Sequence, residues 1–246
     1  MALPWIIGFT LLGSVGAIVL AGLFLLFPEK IHRLLIPCLI SYASGTLLGA
    51  AFLGLIPHAL NHVPAASILP TVLTGIVLFF LLEKLLIWRH CHQGECETHG
   101  TAGPLIIIGD AFHNFADGLV IAATFITSIP LGIATSLAVI AHEIPQEVGD
   151  FAILLQSGYS KRRAVLYNGL SSLAALFGAV LAYLFLKEVQ PVTPYIMALS
   201  AASFVYIATV DLIPDLHRQT SLAAGARQFV LMLIGIGTIV LFHLHR

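Results

Sequence analysis

Residues 104–156 read PLIIIGDAFHNFADGLVIAATFITSIPLGIATSLAVIAHEIPQEVGDFAILLQ. Two long apolar runs, 104–126 and 130–156, are separated by three residues only. At about 1.5 Å per residue, either run is long enough to cross roughly 30 Å of hydrocarbon. Backbone in lipid must satisfy its hydrogen bonds within its own segment, so both runs are expected to be helices. The alternation of a barrel strand is absent. The short turn makes the two helices antiparallel neighbours. Yet these apolar runs hold five carboxylates, Asp110, Asp117, Glu143, Glu147 and Asp150, with no Lys or Arg between residues 90 and 160.

The rest of the chain repeats the pattern. Of its 246 residues, 59% are hydrophobic and 9% charged, and the mean hydropathy is +0.99. A soluble domain of this size carries about 25% charged residues. The expected fold is therefore all-α, a polytopic membrane protein of about eight transmembrane helices. The spans lie near 4–27, 34–57, 68–88, 104–126, 130–156, 164–186, 192–213 and 226–243, in one transmembrane domain over 1–246. The first run lacks a basic leader and is long enough to span, so it is counted as a helix and not a cleaved signal. Three scattered cysteines form no disulfide framework. A net charge of −1 gives no footprint for nucleic acid.

Basic residues set the orientation. Lys30, Arg33, Lys84, Arg89, Lys161, Arg162, Arg163, Arg218 and Arg227 fall at odd-to-even connections, whereas Lys187 and Arg246 fall on the other side. The positive-inside rule puts those connections in the cytoplasm and both termini outside. The 90–103 connection holds three His and two Cys within ten residues, and reads equally as a metal-binding loop or a solvated linker. Gly45 and Gly49, four apart, suit close helix packing. Span 2 ends Leu55-Ile56-Pro57-His58 and span 7 ends Leu212-Ile213-Pro214-Asp215. If this is a repeat, spans 1–3 and 6–8 are inverted copies around spans 4 and 5, a 3+2+3 arrangement.

The polar residues of the central pair carry the chemistry. Asp110, His113, Asn114 and Asp117 are spaced i, i+3, i+4, i+7, one helical face. On the next span, His142, Gln146 and Asp150 form one stripe and Glu143, Glu147 and Asp150 another. Each central Asp costs about 2.5–3.5 kcal/mol to insert, so five unpaired carboxylates would cost on the order of 15 kcal/mol. That exceeds a typical folding stability of about 5–15 kcal/mol. Protonation, water or a cation could compensate them, and a bound divalent metal fits, because His, Asn, Gln, Asp and Glu are all ligand types. His113 and His142 with Glu143 both sit roughly 21–23 Å from the turn, near the midplane, where transporters bind substrates. Pro145 removes a backbone donor and frees the Ala141 carbonyl, which predicts a kink. Mixed nitrogen and oxygen ligands suit Zn²⁺, Fe²⁺, Mn²⁺ or Cd²⁺. Asp110 and Asp150 read as structural or as exit-path groups. His58 and His62 read as surface histidines or as an entrance.

With these residues the sequence resembles the ZIP (Zrt/Irt-like) metal transporter family. The resemblance rests on His113-Asn114-Phe115-Ala116-Asp117-Gly118 and on His142-Glu143-Ile144-Pro145-Gln146-Glu147-Val148-Gly149-Asp150. The second motif is similar to the family branch reading HExPHExGD, with Gln146 in place of the second His. The resemblance implies influx of zinc or a related metal as substrate, with no cofactor. It implies a central site of His113, Asp117, His142, Glu143 and Gln146, and a neighbouring one of Asn114, Asp117, Glu143 and Glu147. It also implies alternating access and a homodimer. The rival reading is an intramembrane zinc enzyme, because His142-Glu143-Ile144-Pro145-Gln146 is one residue from HExxH. Here the second His is missing and Pro145 interrupts the helix that chemistry needs.

Overall fold

The computed structural model describes residues 2–24, 26–88, 102–185 and 190–244. The His- and Cys-containing stretch at 90–101 lies outside the described residues. The described residues form eight long helical elements. They are α1 (Leu3–Phe24), α2 (Glu29–Gly49, continued by Ala50–Leu55 and Ile56–Leu60), α3 (Ala65–Trp88) and α4 (Ala102–Thr127). They continue with α5 (Ile129–Gln156), α6 (Lys161–Phe185), α7 (Thr193–Tyr206, continued by Ile207–Leu212 and Ile213–Leu216) and α8 (Leu222–Leu244). Seven of these are long and apolar enough to cross a membrane. The eighth, α5, is the longest unbroken helix at 28 residues, but holds His142, Glu143, Gln146, Glu147 and Asp150.

The turn between α4 and α5 follows from local chemistry. Ser128 caps α5 by accepting the Leu131 backbone N–H at 3.3 Å, and Pro130 sits in the first turn, where no donor is lost. A Cβ on Gly132 would lie 2.2 Å from the Phe125 ring, so only glycine lets the two helices close here. The helix runs on through Pro145.

α2, α4, α5 and α7 form the inside of the bundle. Exposed Leu73, Val77 and Phe80 on α3, and Phe229, Leu233 and Leu241 on α8, show the lipid-facing periphery. Small residues bring backbones together. A Cβ on Gly118 of α4 would lie 1.8 Å from the Ala175 carbonyl oxygen of α6, and one on Gly178 would lie 2.2 Å from that of Phe115. Gly45 meets the Met232 carbonyl of α8, and Gly49 meets Ile239 on the same helix. Gly75 of α3 meets Ala202 of α7.

α2 and α7 each contain a six-residue π-helical segment, Ala50–Leu55 and Ile207–Leu212. Each closes with an N–H bonded five residues back, Ile56 to the Ala51 carbonyl and Ile213 to the Ala208 carbonyl. In each, proline stands two residues past the segment, Pro57 after Ile56 and Pro214 after Ile213. Proline has no N–H to complete the preceding α-turn, and a wider turn absorbs the displaced carbonyl. The paired residues Ala51 and Ala208, Ile56 and Ile213, Pro57 and Pro214, and Gly45 and Ala202 all share one sequence offset. The helix pairings match it: α2 packs on α8 as α7 does on α3, and α4 on α6 as α5 does on α1.

Candidate metal centre

α4 and α5 bring four side chains to one point. Nε2 of His113 lies 3.0 Å from Nε2 of His142. Asp117 Oδ2 is 3.3 Å from His142 Nε2 and 3.7 Å from His113 Nε2. Glu143 Oε1 is 3.4 Å from His113 Nε2 and 3.8 Å from His142 Nε2. His142 Nδ1 lies 3.0 Å from the Ala138 carbonyl. A carbonyl only accepts, so Nδ1 carries the proton and the Nε2 lone pair faces the cluster, the tautomer a metal ligand requires. The Phe204 ring of α7 stands edge-on to the His142 ring, centroids 6.0 Å apart, and caps it with an apolar wall.

A second cluster shares one member with the first. Ligand atoms of Asp110, Glu143 and Glu147 lie within 4.8 Å of one another, all three residues buried. Asn114 and Gln146 both serve Asp110. The Asn114 amide donates to Asp110 Oδ1 at 2.9 Å, and the Gln146 amide donates to the same oxygen at 3.4 Å. Glu147 Oε1 accepts from Ser172 at 2.6 Å. Buried carboxylate oxygens left without a hydrogen-bond partner among the described residues are Oδ2 of Asp110, Oδ2 of Asp117, both oxygens of Glu143 and Oε2 of Glu147. A buried polar atom without a partner costs free energy, and a charged one costs more. All five belong to residues of the two clusters, which meet at Glu143.

A cavity of about 600 Å³ reaches this centre from one side. His113, His142, Gln146, Asp110 and Asp150 line it from α4 and α5, and Asp211 and Asp215 from α7. Its outer end lies at the ends of α5 and α7 next in sequence to Lys161, Arg162, Arg163 and Arg218. Toward the opposite end of the bundle, buried Leu55, Leu131, Ala134, Ala138, Met197 and Phe204 pack together.

Residues 88–243 match the ZIP Zinc transporter family. The chain belongs to this family. It is 34% identical over 221 residues to zinc transporter ZIP13 of Pongo abelii, covering 84% of this chain and 66% of that protein. It is 30% identical to zinc transporter SLC39A7 of Mus musculus, covering 94% of this chain and 68% of that protein. Over 144 residues it is 40% identical to zinc transporter ZIP10 of Danio rerio, covering 56% of this chain and 17% of that much longer protein. These relatives are named transporters, not hydrolases, and the chain is an integral, multi-pass membrane protein. Among ZIP-family features expected from sequence, His113, Asp117, His142 and Glu143 come together. Asn114 and Gln146 stand at the centre's edge as donors to Asp110, which itself joins Glu143 and Glu147. Asp150 lines the cavity. His58 and His62 stack at the end of α2 with ring centroids 4.7 Å apart and belong to neither cluster. Sequence reasoning missed Asp211, Asp215 and Ser172. The first is a carboxylate inside an apolar span, the same signal that marked α4 and α5.

Proposed function

We propose that this ZIP-family chain carries Zn²⁺ across the membrane toward the cytoplasm through the centre between α4 and α5. The observation that carries the reading is the set of five buried, unpartnered carboxylate oxygens in two clusters, one of which holds two imidazole nitrogens 3.0 Å apart. A divalent ion neutralises them, and no Lys or Arg lies on α4 or α5 to do so. Two imidazoles and two carboxylates suit Zn²⁺ and neighbouring Fe²⁺, Mn²⁺ and Cd²⁺, and lack the thiolates a Cu⁺ site prefers.

The inward direction rests on the family resemblance, and the cavity supplies a path for release on that side. It opens beside the basic ends of the helices, which the positive-inside rule places in the cytoplasm. On this reading the larger cavity is the ion's release route, and a smaller one of about 200 Å³ meets Asp117 beside Phe79, Ile196 and Phe204 on the other half of the bundle. Small-residue contacts tie α2 to α8, α3 to α7 and α4 to α6. On this reading α1, α4, α5 and α6 move as one body against α2, α3, α7 and α8, exposing the centre to either side in turn. Assembly as a homodimer belongs to the same proposal and rests on the family resemblance.

The test is uptake into proteoliposomes across a series of Zn²⁺, Fe²⁺, Mn²⁺ and Cd²⁺. Saturable Zn²⁺ uptake that is lost in His113→Ala and His142→Ala is expected. Normal uptake by both variants would remove the assignment.

A further inference from the structure

α6 contributes no His, Asp or Glu, yet Ser172 points at the centre. Serine and threonine hydroxyls inside helices usually donate to a carbonyl one turn back in their own helix. Ser14, Ser41, Ser44, Thr46, Thr124 and the adjacent Ser171 all do so. Ser172, fully buried, instead donates across to Glu147 Oε1 at 2.6 Å. Glu147 is thereby held by one oxygen while the other, Oε2, has no partner, and the residue stands in the cluster with Asp110 and Glu143.

We propose that Ser172 is a positioning residue for transport: by fixing Oε1 of Glu147 it aims Oε2 at the all-carboxylate cluster, and so sets the rate at which the ion leaves the two imidazoles. The proposal rests on the transport reading above. Capture uses His113, Asp117, His142 and Glu143, none of which touches Ser172. The following step needs a second carboxylate already in place to share Glu143's ion. Without the hydroxyl, Glu147 is free to turn, and the receiving site must be assembled at each passage.

The test uses purified full-length Ser172→Ala and Ser172→Cys in proteoliposomes with Zn²⁺. Cysteine keeps the volume but is a weak donor. Loss of one charge-assisted hydrogen bond predicts a maximal rate lowered about tenfold in both variants, with KM within about twofold of wild type. Co²⁺ absorption at the two-imidazole cluster stays unchanged, which shows that the first cluster is intact. The infrared carboxylate band that shifts on Zn²⁺ addition, assigned by its loss in Glu147→Gln, moves in both variants. Unchanged rates in both would overturn the proposal, as would full activity in the Cys variant with a slow Ala variant, because volume would then be the cause. If the Ala variant does not fold, the Cys variant decides alone. Failure of wild-type vesicles to take up Zn²⁺ would sink the transport reading, whereas the infrared band tests Ser172's hold on Glu147 independently.

Discussion

Oε1 of Glu143 lies 3.4 Å from Nε2 of His113, while neither oxygen of Glu143 receives a hydrogen bond. The same carboxylate is a member of both ligand clusters. Glu143 is therefore the hinge of the centre: it completes a mixed nitrogen and oxygen set on one side and an all-oxygen set on the other.

Glu143→Gln is expected to act in opposite directions on the two states. Without metal, it sets an amide donor beside the unpartnered oxygens of Asp117, Asp110 and Glu147, and the protein gains about 1–3 kcal/mol, the scale of one unsatisfied buried group. With metal, it removes a shared ligand, and affinity falls by about 100-fold or more, since even supporting residues around a metal cost 10–100-fold. Thermal unfolding in detergent with and without Zn²⁺ reads both. A variant whose melting point still rises with Zn²⁺ as in wild type would show that Glu143 is no ligand.

Gly118 and Gly149 are both glycines in the central helices, and they predict opposite outcomes. A Cβ at Gly118 would fall 1.8 Å from a backbone oxygen of α6, which cannot rotate away. Gly118→Ala must part α4 from α6 and should cost about 2–4 kcal/mol, an overpacking defect at the upper end of its range. At Gly149 nothing lies within 4 Å, so Gly149→Ala should be neutral or gain up to about 1 kcal/mol from helix propensity. Equal melting points for the two variants would contradict the α4–α6 contact.

Asp211 and Asp215 put negative charge along the cavity without entering either cluster. A cation leaving the centre gains from that field, and the gain is screened by salt. Asp211→Asn is expected to lower maximal Zn²⁺ transport about threefold to tenfold at low ionic strength, less at high salt, leaving binding at His113 and His142 unchanged. Transport measured at two salt concentrations checks this; an equal loss at both would assign Asp211 a structural role.

The eight helices were legible in the sequence because the bilayer imposes one length and one composition on every span. The α4–α5 centre was legible because carboxylates are rare there and helical spacing set them on one face. Spacing does not say which atom meets which. Asn114 and Gln146 are ligand types by chemistry, yet their amides are spent on Asp110. Ser172 looked like any small residue of a membrane helix, because the direction of its hydroxyl depends on a partner 25 positions away. The repeated Leu-Ile-Pro was visible, but the π turn before it is a backbone response that composition does not announce.

That π turn carries the last prediction. In α7 the segment Ile207–Leu212 contains Asp211 and ends two residues before Pro214, which cannot donate to the Val210 carbonyl. Pro214→Ala restores the missing N–H, so the turn can tighten to a regular α-helix. Tightening removes one residue's worth of bulge and rotates Asp211 by about 100° relative to the cavity. Stability should rise by about 1–3 kcal/mol, up to the cost of a proline in a helix interior, while Zn²⁺ transport falls. Melting temperature and uptake measured on the same preparation separate this from simple damage, which would lower both. Pro57→Ala, at the matching place in α2, should behave alike if the two segments are paired hinges. A stable Pro214→Ala protein with full transport would show that the wide turn is packing and not mechanism.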